Sequence, residues 1–223
     1  GDTVKIERAG DVIPHVVAVD FKKRKKNLIK FLFPKKCPSC GSKTEKEFNK
    51  ITKKFDAVRR CANESYQCEK IAIEKIKHFV SKEALNIDGL GKKVIEKFWD
   101  LNMIRLPNHI FNLDYKKISN LDGWGQLSVS NLKYSIEQSK QVSLDRFIYS
   151  IGIRHIGIEN AKLISDNINS IKNFLEIIEK QNFNQFLNID GIGETQINSL
   201  IKFFKNKINC EVVFELSKIL LIK

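Results

Sequence analysis

The 223-residue chain contains no uninterrupted apolar run approaching the length needed to cross a bilayer. Its start, Gly1-Asp2-Thr3, has none of the charge and hydrophobicity pattern of a signal peptide. A soluble protein of the cytoplasm, with no membrane partner, is expected. Its four histidines, His15, His78, His109 and His155, form no catalytic triad and no metal pair with the cysteines. Each reads as a packing or surface residue. The carboxylates are scattered and form no paired acid/base site. Acid is scarcest in residues 21–60, which hold fifteen Lys/Arg against three Asp/Glu and so carry +12 of the formal net charge of +13. A hydrophobic content of 42% supports a packed core, and the length suits one large domain or two to three small ones.

Cysteine is sparse but ordered. Cys37, Cys40, Cys61 and Cys68 read C-x2-C, a gap of twenty residues, then C-x6-C. Cys37-Pro38-Ser39-Cys40-Gly41 resembles a zinc knuckle, a tight turn that aims two sulfurs at one ion, the alternative being four buried free thiols. Two such pairs complete the closed tetrahedral shell of structural Zn²⁺, leaving no ligand position for a reactive water. Disulfides are not expected in a reducing compartment. Between the pairs, Lys43 to Arg60 alternates as a short hairpin with basic side chains. A ribbon of this size buries too little to fold without its ion. Cys210 lies in an apolar helical pattern and is expected in the core.

The second half repeats one signature four times. Ile87-Asp88-Gly89-Leu90-Gly91, Leu121-Asp122-Gly123-Trp124-Gly125, Ile153-Arg154-His155-Ile156-Gly157 and Ile189-Asp190-Gly191-Ile192-Gly193 align without gaps, their last glycines 34, 32 and 36 residues apart. Glycine permits positive φ and puts no Cβ in the way, so a tight turn can present bare backbone N–H groups. The helix that follows adds its unpaired N–H groups and the positive end of its dipole, completing a cradle for a phosphate oxygen. This is the helix-hairpin-helix signature of proteins that hold DNA by its backbone without reading sequence. The third copy has His155 in place of the first glycine and is expected to pack more than it grips. Beside such hairpins, a polyanionic partner explains the concentrated basic block, Lys22-Lys23-Arg24-Lys25-Lys26 included.

The remaining pattern completes a mainly α fold. Thr3-Val4-Lys5-Ile6-Glu7-Arg8 and Val12 to Val19 read as two strands joined by a turn at Ala9-Gly10-Asp11. Two strands alone are marginal, so they look like the end of a β-barrel. From Ile71 the periodicity is helical: Ile71, Ile73, Ile76 and Phe79, then Val94, Ile95, Phe98 and Leu101, then Leu132 and Ile136, Ala161 and Ile164, and Ile197, Leu200 and Phe203 form the apolar stripes. Pro107 breaks the chain between repeats one and two. Val212 to Ile222 reads as a last amphipathic helix or a link to something further on.

Taken in order, the Gly-Asp-Thr-Val and Arg-Ala-Gly-Asp-Val-Ile-Pro strand pair (2–14), the four-cysteine ribbon, His78 to Gly91, and Phe147 to Arg154 opening the third hairpin resemble the C-terminal half of bacterial NAD-dependent DNA ligases. The resemblance covers essentially the whole chain. It implies the end of an oligonucleotide-binding (OB-type) barrel with a basic linker (1–34), a four-cysteine zinc finger (35–70) and a four-motif helix-hairpin-helix domain (71–223). It also implies nick sealing in replication and repair, NAD and Mg²⁺ bound by an N-terminal adenylation domain outside these residues, nicked duplex DNA as partner, a monomer, and a nucleoid-associated location in the bacterial cytoplasm. The family's C-terminal BRCT domain is expected to be absent. In that family a lysine in Lys-x-Asp-Gly accepts adenylate. Asn86-Ile87-Asp88-Gly89, Asn120-Leu121-Asp122-Gly123 and Asn188-Ile189-Asp190-Gly191 approach this motif but place an amide where the nucleophile must stand. No catalytic residue is therefore expected here.

The expected DNA contacts are Gly89, Gly91, Gly123, Gly125, Gly157, Gly191 and Gly193 through the backbone, Lys92 and Lys93 by charge after the first hairpin, and Arg8 on the first strand. Two other readings stay open. A stand-alone DNA-binding or scaffold module of a repair protein would have no use for the half-barrel at residues 1–20. A base-excision glycosylase would need a carboxylate after a hairpin, for which Asp114 and Asp145 are candidates by position only.

Overall fold

The computed structural model describes residues 1–10, 13–49, 52–63 and 65–223. Strand alternation near the start produces an antiparallel pair, β1 (Val4–Ala9) and β2 (Ile13–Val19), with Val4 opposite Val19, Arg8 opposite Pro14 and a bulge at Lys5/Ile6. Gly10 turns the chain at φ +63°; Asp11 and Val12, expected in the turn and the second strand, lie outside the described residues. Val4 and Ile6 share one face of β1, with Val16 across from Ile6, and all three are exposed. A second antiparallel pair, β3 (Thr44–Asn49) and β4 (Lys54–Cys61), forms the hairpin expected between the cysteine pairs, although Lys50 and Ile51 at its tip lie outside the described residues. Its facing rings Phe48 and Phe55 meet edge to face at 5.0 Å and remain exposed.

Among the described residues nine helices follow: α1 (Glu69–Val80), α2 (Lys92–Asp100), α3 (Tyr115–Ser119), α4 (Gln126–Ser139), α5 (Leu144–Ser150), α6 (Ile158–Ile168), α7 (Ile171–Lys180), α8 (Glu194–Phe204) and α9 (Lys207–Ile219). Local chemistry sets their ends. Asp114 accepts from the Lys116 and Lys117 amides, Ser170 from Asn173, and Asn206 from Ile208 and Asn209, each satisfying orphan donors at a helix start. Asn169 and Gln181 close α6 and α7 in the left-handed conformation. Pro107 opens a 3-10 segment, Pro107–Asn112, between the first two repeats. Gln141–Val142 (β5) and Leu221–Ile222 (β6) pair in parallel and tie the end of α4 to the end of α9.

One apolar cluster runs from Tyr66 to Leu220, with Phe79, Phe98, Phe147, Phe174 and Phe183 fully buried. Three expectations need correction. Leu101 is 46% exposed, because α2 ends at Asp100 and the left-handed Asn102 turns the chain away; Trp99 occupies the buried side instead. The last helix starts at Lys207, five residues before Val212, because Asn206 caps it there. Cys210 is half-buried on that helix, its thiol donating to the Phe204 carbonyl at 2.9 Å.

Candidate metal centre and nucleic-acid interface

The knuckle forms through backbone bonds. The Cys37 amide donates to Ser42 O (2.7 Å) and the Gly41 amide to Cys37 O (2.9 Å), with Gly41 at φ +73° reversing the chain. The second pair comes from two other elements, since Cys61 ends β4 and Cys68 is the N-cap residue of α1. The four Sγ atoms lie within 4.8 Å of one another, with Cys40–Cys61 at 3.4 Å and Cys37–Cys68 at 4.0 Å. Four sulfurs at about 2.3 Å from a tetrahedral ion stand ~3.8 Å apart, so the separations fit such an ion. The protonation chemistry points the same way. Hydrogen bonds from the Ser42 hydroxyl and amide hold the Cys40 thiol down to about 6, whereas burial, together with the neighbouring thiols, pushes Cys61 up to about 12. Four sulfurs this close cannot all ionise without a cation among them. Cys68, 1% exposed, also places its sulfur at the positive end of the α1 dipole.

The four hairpins share one backbone path. Gly89, Gly123 and Gly191 take φ of +88°, +83° and +91°, and His155 reaches the same left-handed region at +62°. Each second glycine is the extended N-cap of the next helix: Gly91 of α2, Gly125 of α4, Gly157 of α6 and Gly193 of α8, none with a side-chain cap of its own. The residue between is a plug: Leu90, Ile156 and Ile192 are buried, and Trp124 stacks on Phe98 with ring centroids 5.6 Å apart. A Cβ at Gly91, Gly125 or Gly157 would meet nothing within 4 Å. These amide-bearing turns therefore face open space. The fourth hairpin differs, because the Gln196 carboxamide oxygen accepts from the Gly193 amide at 3.2 Å. That Gly-x-x-Gln spacing is a capping pattern readable in sequence.

The hairpins pack as two reciprocal pairs. The Asp88 amide donates to Ser135 Oγ of α4 (2.7 Å), Gly89 sits against Leu132 of α4, and Lys97 of α2 donates to the Asp122 carbonyl (3.2 Å). Likewise Gly191 sits against Leu163 of α6, and His155 Nδ1 lies 3.0 Å from Ser199 Oγ of α8. Lys97, Leu163 and Ser199 stand at the same place, six residues after the second glycine of their repeats. The pairs join where His78 Nε2 meets the Tyr149 carbonyl (2.7 Å) and Arg146 donates to the Ala84 and Lys82 carbonyls.

Charge distinguishes the hairpins. Lys92 and Lys93 are exposed in the first turn of α2, as expected, while α6 and α8 carry Glu159 and Glu194 in theirs. Arg8 lies exposed on β1 across from Pro14, on the strand pair and away from the hairpins in sequence. Arg154, which the sequence marks only as part of a repeat, reaches the ribbon: it pairs with Glu47 and, at 3.9 Å, with Asp56. Of the two carboxylates that are glycosylase candidates by position, Asp114 is occupied in capping α3 and Asp145 lies in the first turn of α5.

Comparison with known proteins fits this geometry. The helix-hairpin-helix motif family matches residues 146–213, which hold the third and fourth hairpins. A DNA ligase of Pelagibacter ubique (strain HTCC1062) is 63% identical over 223 residues, covering 100% of this chain and 33% of that protein. A DNA ligase of Rickettsia bellii (strain RML369-C) is 42% identical, covering 99% of this chain and 33% of its own length. One of Parvibaculum lavamentivorans is 40% identical, covering 96% and 31%. Over 96–100% of its length the chain is similar to part of these proteins named DNA ligase. It spans about a third of the length of the curated relatives it matches. The matched length carries the cysteine tetrad and the four hairpins, and no described helix is long and apolar enough to cross a membrane.

Proposed function

We propose that the chain is the DNA-holding C-terminal part of an NAD-dependent ligase that seals nicks in duplex DNA. The observation that carries this reading is the open glycine N-cap at successive hairpins, above all Gly91 and Gly125, where bare amides and a helix dipole converge on space that a phosphate oxygen can enter. Gly89, Gly123 and Gly191 supply the left-handed turn that aims those amides. Gly193 contributes less, since Gln196 already occupies its amide, and Gly157 is the least favoured by charge. Lys92, Lys93 and Arg8 add salt-sensitive contacts. Because the binding is to backbone, it is independent of sequence and leaves the nick free for an enzyme domain.

Cys37, Cys40, Cys61 and Cys68 would hold Zn²⁺. The ion supplies a rigid cross-link between the ribbon and the start of α1 and takes no part in chemistry. The units proposed are 1–34 (barrel end and basic linker), 35–70 (zinc finger) and 71–223 (hairpin domain). The exposed apolar face of Val4, Ile6 and Val16 supports further barrel strands packing there, which a stand-alone module would not need. NAD and Mg²⁺ belong to an adenylation domain of the same protein, which would act as a monomer in the bacterial cytoplasm, at the nucleoid. The test mixes this chain with a separately made adenylation domain, NAD⁺, Mg²⁺ and nicked duplex. Sealing that requires both pieces is expected; sealing by either piece alone at the same rate would refute the proposal.

A further inference from the structure

The third hairpin stands apart in what surrounds it. Arg154 sits immediately before the left-handed His155, and its guanidinium is shared by two ribbon carboxylates, Glu47 of β3 and Asp56 of β4. Asp56 also binds Arg60 at 2.5 Å, one residue before the metal-ligating Cys61. The four side chains are only about 34–43% exposed, so this is a partly sheltered network rather than a set of waving surface ions. The hairpin is engaged from its other sides too. His155 Nδ1 meets Ser199 Oγ, and the Asn160 carboxamide donates to the His155 carbonyl at 3.0 Å. Glu159 then puts a negative charge in the first turn of α6, the helix end that would otherwise attract a phosphate.

We infer that the third hairpin has been given over to holding the ribbon, with Arg154 as the positioning residue that locks the metal-bearing hairpin onto the helical body, and that it does not grip DNA. The inference rests on the proposed duplex binding only for its second half. Glu47 and Asp56 occupy the Arg154 guanidinium, so it is not offered to a phosphate, and Glu159 puts a negative charge in the first turn of α6 where the first hairpin has Lys92 and Lys93. The hairpin backbone is retained because the same turn that presents amides elsewhere here points Arg154 at β3 and β4. The tetrad already ties the ribbon to the start of α1 through Cys68, and the network adds an attachment at a different part of the helical body, the third hairpin.

Gly157 and Gly125 make clean comparators. Both are extended N-caps with nothing within 4 Å of a Cβ, so valine adds bulk toward the outside without backbone strain. The experiment follows hydrogen exchange of the β3–β4 amides and duplex affinity in the parent chain, Arg154→Gln, Glu47→Gln, Gly157→Val and Gly125→Val. Arg154→Gln and Glu47→Gln are each expected to speed β3–β4 exchange about tenfold, while helical amides and the metal content hold steady. Gly157→Val is expected to change duplex affinity less than twofold and Gly125→Val at least tenfold. Unchanged β3–β4 exchange in Arg154→Gln, with weaker duplex binding and a salt slope lower by ~0.9, would make Arg154 a phosphate contact and overturn the inference. So would a loss on Gly157→Val equal to that on Gly125→Val. If the parent chain binds no duplex, the functional proposal fails, and the exchange arm alone still decides whether Arg154 holds the ribbon; Glu47→Gln carries that arm should Arg154→Gln not fold.

Discussion

Stripping the metal should unfold the ribbon and leave the helices standing. Among the described residues from 35 to 63, Thr44 is the only buried one, and Phe48, Phe55 and Val58 are 48%, 66% and 52% exposed. With almost no apolar area removed from water, the hydrophobic term that normally opposes chain entropy, about 25 cal/mol per Å², is missing. Ordering each residue costs about 1–2 kcal/mol, and an isolated two-stranded hairpin is marginal at best. A tetrathiolate Zn²⁺ site is worth roughly 10–16 kcal/mol in apparent terms at neutral pH, the one contribution of the required size. The helical body is a different case, because Phe79, Phe98, Phe147, Phe174 and Phe183 are completely buried in a cluster that needs no ion. A zinc chelator, or Cys40→Ser, is therefore expected to raise exchange of the β3–β4 amides by at least a hundredfold toward the unfolded-chain rate. Far-UV circular dichroism should fall only slightly, through fraying of the first turn of α1, where the Ala72 amide bonds to the Cys68 carbonyl. Two results would refute this reasoning: protected β3–β4 amides in metal-free protein, or helices that melt together with the ribbon.

Three further outcomes follow from named residues. Gly125→Val should weaken binding to a random duplex by about 1.5–3 kcal/mol, the scale of a missing charge-assisted hydrogen bond, whereas Lys133→Gln should cost almost nothing because Lys133 lies over the Tyr115 ring; fluorescence anisotropy with both variants checks the order. Replacing Lys22, Lys25, Lys26 and Lys30 by glutamine should reduce duplex affinity at low salt and flatten the plot of log K against log salt by ~0.9 for each phosphate no longer neutralised, since residues 21–44 contain no acid at all; an unchanged slope would show that the block is only a solvated surface. Phe98→Ala removes a fully buried ring that also stacks on Trp124, so it should cost about 3–5 kcal/mol in denaturant unfolding; a loss below about 1 kcal/mol would mean that Trp124 is not seated as described.

Features whose physics is local were readable from sequence, and features made by distant residues were not. Cysteine spacing announces a knuckle because a turn of four residues and a glycine decide where two sulfurs point. The hairpin signature is local as well: a left-handed residue, an apolar plug and a bare N-cap occupy adjacent positions, and three of the four turns place glycine at positive φ. The substitution at His155 looks like a defect in that pattern, yet histidine is among the side chains that enter the left-handed region more readily, and the turn survives. What changed is its surroundings, and these come from far away. Glu47 and Asp56 lie roughly a hundred residues before Arg154, and nothing in the spacing of either segment points to the other. Reciprocal pairing of the hairpins is equally non-local, although it leaves a faint trace: Lys97, Leu163 and Ser199 share a repeat position but no chemistry. A polar amine, an aliphatic branch and a hydroxyl can all fill that place because each meets a different part of the partner turn. Repeated backbone geometry combined with divergent side chains lets one copy of the motif keep its shape in different surroundings, and under the proposed duplex binding the charges around each turn, as well as its glycines, decide which copies are open to a phosphate.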